Sequence, residues 1–492
     1  MLTHDQDAII AQCTPVGTGA LALIRLSGEN AFTIADALAQ LPSKKQLSRC
    51  ASHTIHYGWV VDNQKNHIDQ VLFLVMKAPH TFTGQDTIEI TCHNNPFIIE
   101  SILAQAIAHG ARIAHAGEFS QRAFLHGKID LTQAEAINDL IHANTQQALK
   151  QSLAQVEGSL SSWIMHIQQE LLKARAYCEA SFEFIDEEIE FSPQINQNIQ
   201  NVLKAIARLK KTFDQQNQIR EGIRITLIGS VNAGKSSLFN ALLGKDRSIV
   251  TNIAGTTRDV IEAGVYRNGT YWTLVDTAGL RQAHDIVEKE GIKRSFQEAK
   301  KTDIIILVYD ASRTLSDEEQ TIYSELHSKY DHKIITVANK WDLIESHPHG
   351  SIHSSQQTSK ITHHEQVNPF APFFLSDCGP IVSKDQTKNF YPASSHNAQS
   401  IQNIELKIEQ KITSMLLQAD SPFLLNKRQF NILLALEKQL EKIVEMLNSS
   451  AIAYELLSYE LRSALEHISE LTGKSIDEAG MDMIFKQFCV GK

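Results

Sequence analysis

The run Gly229-Ser230-Val231-Asn232-Ala233-Gly234-Lys235-Ser236 carries the densest chemistry in the chain. It fits G-x-x-x-x-G-K-[ST], a loop whose glycines let backbone N–H groups close around phosphate oxygens. An apolar run from Ile223 to Ile228 precedes it and reads as a strand; Ser237 to Leu242 follows and reads as a helix. A strand, a tight loop and a helix N-terminus in that order point both amides and the helix dipole at an anion. Ala233, Gly234, Lys235, Ser236 and Ser237 are therefore expected to bind a nucleotide. Lys235 is placed to reach the β- and γ-phosphates as a catalytic charge, and the Ser236 hydroxyl to ligate Mg²⁺. Asn232 admits two readings. Its amide oxygen suits a monovalent cation beside the phosphates, supplying charge that an arginine finger supplies elsewhere; equally, it suits a turn that needs left-handed backbone.

Two later motifs say which nucleotide. Asn339-Lys340-Trp341-Asp342 follows the apolar stretch Lys333 to Ala338. A carboxylate such as Asp342 accepts from the ring N–H and exocyclic amine of guanine, whereas adenine offers no matching amine and leaves the carboxylate poorly paired. Between the loop and this tetrapeptide stands Asp276-Thr277-Ala278-Gly279, after the strand-like Trp272 to Val275. Phosphate loop, D-x-x-G, then N-K-x-D is the order of GTPases. Asp276 is expected to hold Mg²⁺ through water and the Gly279 amide to sense the γ-phosphate. Within Gly255-Thr256-Thr257-Arg258-Asp259, Thr257 is the expected second hydroxyl ligand of Mg²⁺. Ser394-Ser395-His396 is a degraded form of the S-A-K loop that covers guanine. Leu280 stands where many small GTPases carry a water-orienting glutamine, so another group must orient the water.

These elements need a scaffold. The chain has 492 residues, more than one domain normally holds. Its 42% hydrophobic and 21% charged content fits an ordinary soluble globular protein. No apolar run approaches the ~20 residues of a membrane span, and the polar N-terminus is not a secretory signal. Six scattered cysteines favour free thiols in a reducing cytoplasm. The net charge of −10 argues against strong autonomous nucleic-acid binding, so any RNA contact must use a local patch or a partner's surface.

Along the chain, residues 1–118 mix strands (Leu21–Leu26, Val71–Met76, Ile88–Thr91) with a helix over Pro96–Ala108. A first helical part is expected over 119–217, where Ile137, Leu140, Ile141 and Ala148 continue one face. The GTPase domain is expected over 218–401, with a mostly parallel sheet. A second helical part over 402–492 carries apolar repeats from Leu433 to Leu447 and from Tyr454 to Ile468. The two helical parts are expected to pack together with the GTPase inserted between them, giving a multidomain α/β protein with an α+β N-terminal domain, a helical bundle and an inserted P-loop domain. Residues 343–392 are an anomaly, rich in His, Ser and Gln. His347, His349, His353, His363 and His364 read better as a solvated low-complexity loop than as a metal site.

The chain ends Phe488-Cys489-Val490-Gly491-Lys492. With the inserted GTPase, this terminus resembles the MnmE (TrmE) family of tRNA modification GTPases. Further matches are Thr14-Pro15 with Gly17, Phe82-Thr83-Gly84-Gln85-Asp86, Gly117-Glu118-Phe119-Ser120-Gln121-Arg122-Ala123-Phe124 and Asp186-Glu187-Glu188-Ile189. The departures are Val231 in place of proline, the degraded Ser394 loop and the long insertion. The resemblance implies a cytoplasmic homodimer formed through N-terminal domains that bind a one-carbon tetrahydrofolate. It implies a partner, MnmG (GidA), that uses FAD and NADH, and a shared product: an aminomethyl or carboxymethylaminomethyl group on C5 of the tRNA wobble uridine. It also implies potassium-dependent hydrolysis of GTP. Residue by residue, Arg25, Glu89, Lys128 and Lys492 match folate-contacting positions. Asn232, Thr251, Ile253 and Thr256 match the surroundings of the potassium ion, with Thr251 and Thr256 also near the nucleotide. Glu288 matches the carboxylate that helps activate water, and Cys489 a thiol with a possible part in the modification chemistry. Blander roles compete: an ion pair for Arg25 and Glu89, a solvated terminus for Lys492, a surface charge for Glu288 and helix-end packing for Cys489. Two other functions compete as well, a ribosome-assembly GTPase of the Era or Der kind and a non-enzymatic GTP-binding scaffold. The first should carry a basic RNA-binding domain, which the acidic helical tail does not resemble; the second would not turn over.

Overall fold

The computed structural model describes residues 7–183, 191–211, 213, 218–220, 222–244, 261–276, 296–345, 390–416, 423–449 and 452–491. Two units divide the chain. One takes Met1–His142, Lys150–Lys211 and Leu425–Lys492, the other Ala143–Leu149 and Thr212–Leu424.

Alternation builds the sheet of the first unit. In β2 (Leu21–Ser27), Ala22, Ile24 and Leu26 point inward while Leu21, Leu23 and Arg25 point outward. With β1 (Ile9–Gln12), β3 (Ala39–Gln40), β4 (Thr54–Val61), β5 (His67–Met76), β6 (Thr87–His93) and β7 (Arg112–Ile113), it makes a seven-stranded sheet ordered β3-β4-β5-β6-β2-β1-β7. All pairings are antiparallel except β1 with β7. The inner face buries Ile24, Leu26, Phe73, Val75, Ile88 and Ile90 with residues of helices Ala31–Leu38 and Pro96–Ala108. The latter helix starts where Asn95 accepts the Phe97 N–H and Pro96 takes the first turn, which needs no donor there. The outer face leaves Leu21, Ile55, Tyr57 and Leu72 between 42% and 64% exposed.

Residues of the Gly117–Phe124 motif hold this fold together. Arg122 is buried and donates to the Asp7 carbonyl (2.7 Å) and carboxylate (2.6 Å), to Gln85 (3.1 Å) and to Glu118 (3.0 Å). Arg112 pairs with Glu118 and Asp7 as well. Removing one member would strand a desolvated charge, the costly case for buried ion pairs.

The helices Ser159–Glu183, Ser192–Lys210, Lys427–Leu447 and Tyr454–Thr472 pack on one another. Ile432, Leu433, Leu436, Leu440, Ile443 and Leu447 form one buried stripe at three- and four-residue spacing. A capping box between Asn426 and Gln429 starts that helix. The helical face expected through Ile137, Leu140, Ile141 and Ala148 is not formed. Helix Leu131–Ile141 ends at His142, its buried side runs through Leu131, Ala134, Glu135 and Ala136, and Ala148 belongs to the other unit. Glu135 accounts for the difference. It accepts from Arg428 (2.7 and 2.8 Å) and Gln429 (2.6 Å), so a paired carboxylate faces the partner helix.

The second unit is a six-stranded sheet ordered β13-β12-β11-β8-β10-β9. Its strands are β8 (Ile223–Gly229), β9 (Ile261–Arg267), β10 (Thr270–Asp276), β11 (Ile304–Asp310), β12 (Ile334–Asn339) and β13 (Phe390–Pro392). Every pairing is parallel except β9 with β10. β11 is buried along its whole length, as a central parallel strand covered on both faces must be. The boundary expected at 401 falls inside helix Ala398–Leu416. Ile401, Ile404, Ile408 and Ile412 bury into the same core as Ile223, Leu227 and Val337. At about 1.5–3 kcal/mol for each buried isoleucine, that stripe ties the helix to this sheet. The unit therefore runs on to Leu424.

Candidate functional site

β8 delivers the chain to the phosphate loop at Gly229, and the helix Lys235–Leu243 carries it away. The turn requires positive φ at two positions, Asn232 (61°) and Gly234 (89°). Asn232 thus fills the turn role that its type permits, with its side chain exposed. Gly234 has a further constraint, because a Cβ there would run into the side-chain amide of Asn339. Lys235 is buried and its Nζ donates to the carbonyls of Gly229 (2.9 Å) and Ser230 (2.7 Å). The ammonium thereby lies folded over the loop, at hand for a phosphate oxygen.

Asp276 ends β10, which pairs with β8, so its carboxylate arrives beside the loop. The Ser236 hydroxyl donates to Asp276 Oδ2 at 2.7 Å. Two hard oxygen donors side by side suit Mg²⁺, so the residues fit the ion that the motifs imply.

The guanine motif starts at the end of β12. Asn339 is buried and its Nδ2 donates to Ala233 O at 2.9 Å, clamping the motif to the phosphate loop. Ser395 Oγ donates to Asn339 Oδ1 at 3.3 Å, and Trp341 N to Ala393 O at 3.0 Å. The degraded Ser394-Ser395 loop thus stands against the motif that it was expected to accompany. Lys340 adopts positive φ (62°) and its ammonium donates to Asp310 Oδ2 at 2.7 Å. Burial opposes ionisation of Asp310, but hydrogen bonds from Lys340 and Ser312 outweigh it and hold the carboxyl below its ordinary value. Asp342 begins the short helix Asp342–Glu345 and is exposed.

Thr251, Ile253, Thr256, Thr257, Thr277, Ala278, Gly279, Leu280, Glu288 and Lys492 lie outside the described residues, as does most of the 343–392 insertion. Sequence reasoning missed Asp310, Arg313, Glu319 and Tyr323, which touch the loop or Lys340. An aspartate closing the apolar run Ile304–Tyr309 was the available signal for the first; the others reach the loop from across the fold.

In the first unit, β2 and β6 place Arg25 opposite Glu89, with Arg25 Nη2 and Nε 2.7 and 2.8 Å from Glu89 Oε1. The guanidinium also lies 5.8 and 5.4 Å from the ring centres of Phe82 and Phe119. Phe119 is fully buried, whereas Phe82 is partly exposed, so the rings pack the ion pair into the outer face of the sheet. Lys128 is exposed and donates to Pro79 O at 2.9 Å. The C-terminal tail folds back onto the N-terminal strands. Val490 bridges Ala116, Gly117 N donates to Cys489 O at 3.2 Å, and Gly491 (φ 92°) lies so close to Gln12 and Cys13 that no Cβ would fit. Cys489 is exposed, its Sγ 4.0 Å from His142 Nε2.

A mostly parallel sheet bearing a phosphate loop, a serine and aspartate ready for Mg²⁺ and an N-K-x-D motif clamped to that loop define a P-loop GTPase domain, here set within a chain whose two ends fold as a separate unit. Residues 8–128 match the GTP-binding protein TrmE N-terminus, and residues 131–489 match the MnmE helical domain. The chain is 36% identical over 495 residues to the tRNA modification GTPase MnmE of Lachnoclostridium phytofermentans, covering 99% of each. It is 37% identical over 491 residues to that of Geobacillus thermodenitrificans, covering 99% of each, and 35% identical over 491 residues to that of Bacillus subtilis, covering 99% of this chain and 100% of that one. The chain belongs to the MnmE family and is a GTP hydrolase. Among the described residues, no helix is long and apolar enough to cross a membrane.

Proposed function

We propose that this protein couples potassium-dependent GTP hydrolysis to modification of C5 of the tRNA wobble uridine, in the cytoplasm and together with the FAD- and NADH-using protein MnmG. The observation that carries the reading is the convergence of Lys235, Ser236, Asp276 and Asn339 on one loop in a chain that matches tRNA modification GTPases from end to end. Lys235 neutralises charge on the transferred phosphoryl group, and Ser236 with Thr257 and Asp276 would hold Mg²⁺, which supplies charge stabilisation when bound. Asp342 reads guanine, with Ser394 and Ser395 covering it. Leu280 cannot orient water, so Glu288 takes that part. Asn232, with Thr251, Ile253 and Thr256, would hold the potassium ion.

In the first unit, the Arg25–Glu89 pair between its aromatic rings would hold the tetrahydrofolate, with Lys128 and Lys492 contributing. Cys489 presents an exposed thiol from the docked tail. The exposed apolar side chains Leu21, Ile55, Tyr57 and Leu72 on the outer sheet face support homodimerisation through this domain, because a strip of that kind on one face marks an interface.

Two measurements test the reading. Hydrolysis by the full chain should run much faster in KCl than in NaCl at equal ionic strength, and GTP should be strongly preferred to ATP. Nucleoside mass spectrometry of tRNA from a deletion strain should show the modified wobble uridine lost and then restored by this chain. Equal rates in both salts would remove the potassium site, and unaltered tRNA would remove the modification role.

A further inference from the structure

A polar relay links the two ends of the nucleotide site through residues that no motif contains. At the phosphate loop, Ser230 N donates to the hydroxyl of Tyr323 at 2.8 Å. Tyr323 is 3% exposed and packs edge-on against Tyr309, so this anchor is rigid. The Ser230 hydroxyl accepts from Arg313 Nη2 at 3.1 Å. Glu319 grips the same guanidinium through both carboxylate oxygens, at 2.5 and 2.8 Å. Such a fork fixes the plane of the arginine as well as its charge. On its other side, Arg313 Nε lies 3.7 Å from Asp310 Oδ2, the oxygen that also accepts from Lys340 at 2.7 Å. The other oxygen of Asp310 is tied to the Ser312 amide (3.1 Å) and hydroxyl (2.6 Å), which prevents the carboxylate from turning away. Charge therefore alternates from the guanine motif to the phosphate loop: Lys340, Asp310, Arg313, Glu319. The Asp310 side chain is 5% exposed, while those of Lys340 and Arg313 are 32% and 40% exposed, so the shared carboxylate is the buried centre of a relay whose cations reach solvent.

We propose that Arg313 is a positioning residue that transmits the seating of the guanine base at Lys340 to the phosphate loop at Ser230, by way of Asp310. A base read by Asp342 must settle beside Lys340, two residues away. Lys340 is held in left-handed backbone with its ammonium on Asp310, so displacement of the one is felt by the other. Arg313 shares that carboxylate oxygen and holds the Ser230 hydroxyl, so a change at Asp310 reaches the loop that orients the phosphates. A well-seated base then sets kcat as well as affinity.

The test compares hydrolysis of GTP and inosine triphosphate, which lacks the exocyclic amine, by the full chain in potassium and magnesium chloride. In the wild type, inosine triphosphate should show a higher KM and a kcat lower by about threefold to tenfold, the range of residue-mediated coupling. Arg313→Gln should leave the KM difference and bring the two kcat values together; Arg313→Lys, which keeps the charge, should restore part of the kcat difference. In a cycle with Asp310→Asn, the combined variant should lose little more than the worse single one, as expected of residues acting as a unit. A kcat ratio that Arg313→Gln leaves unchanged, a wild-type ratio of one, or fully multiplicative losses would overturn the coupling. The proposal rests on GTP hydrolysis by this domain: a wild-type chain inert towards GTP would end both, whereas an active one with an unmoved ratio would end the coupling alone.

Discussion

Lys235 donates to two neutral carbonyls of its own loop, Gly229 and Ser230. Phosphate oxygens are stronger acceptors because the bond becomes charge-assisted at both ends. The side chain is thus stored near its working position and needs little reorganisation. Lys235→Ala should lower kcat/KM for GTP by about a hundredfold or more, the scale for removing one preorganised stabilising group. Glu288→Ala should behave differently, with kcat falling sharply while the affinity for a fluorescent GTP analogue stays nearly constant, the signature of an interaction made in the transition state. Loss of affinity with an intact kcat would assign Glu288 a structural part. At the same scale, Arg25 and Glu89 form the ion pair that was the blander expectation for them, with Phe82 and Phe119 packed against the guanidinium.

Elements matter where a local signal and a tertiary contact reinforce each other. The helix Asp317–Tyr330 starts with a capping box in which Ser316 and Glu319 bond reciprocally. Arg313 adds a forked ion pair to the same carboxylate, and with the Ser316 amide and the Ser230 hydroxyl it outweighs burial and holds Glu319 at about 2. An unfolded glutamate titrates near ~4.3, so the folded state gains stability that is complete above about pH 5 and is lost as pH falls towards 2. Glu319→Gln should therefore reduce the decline in urea midpoint between about pH 5 and pH 2, a window set by those two values. An unaltered decline would show that other carboxylates govern acid unfolding of this unit.

At the scale of the whole molecule, the tail and the nucleotide site belong to different units, each with its own core. Val490 and Gly491 dock on Ala116, Gln12 and Cys13, so the tail is part of the N-terminal fold. Deleting residues 489–492 should abolish tRNA modification, read by nucleoside mass spectrometry, while GTP hydrolysis persists. Full modification by the truncated chain would show the tail to be dispensable, and loss of both activities would point to a folding defect.

Local chemistry decided much of this protein in advance. The phosphate loop, Asp276 and the Asn339–Asp342 motif are legible because each is a short run whose residue types suit one ligand group. Helix Pro96–Ala108 and the stripe from Leu433 to Leu447 are legible because periodicity records which face is buried. Three features were settled only in three dimensions. Ile401, Ile404, Ile408 and Ile412 form a stripe that could cover either unit, and it is the sheet around β8 that takes it. The face through Ile137 gave way to one containing Glu135, because Arg428 and Gln429, distant in the chain, satisfy that carboxylate. Arg313 and Tyr323 belong to no motif, yet parallel pairing of β8 with β11 and of β11 with β12 brings Ser230, Asp310 and Lys340 to the same C-terminal end of the sheet, within their reach. Sequence determines what each short segment is able to bind or bury. Which distant segment supplies the partner depends on strand order and helix docking, which no local pattern encodes.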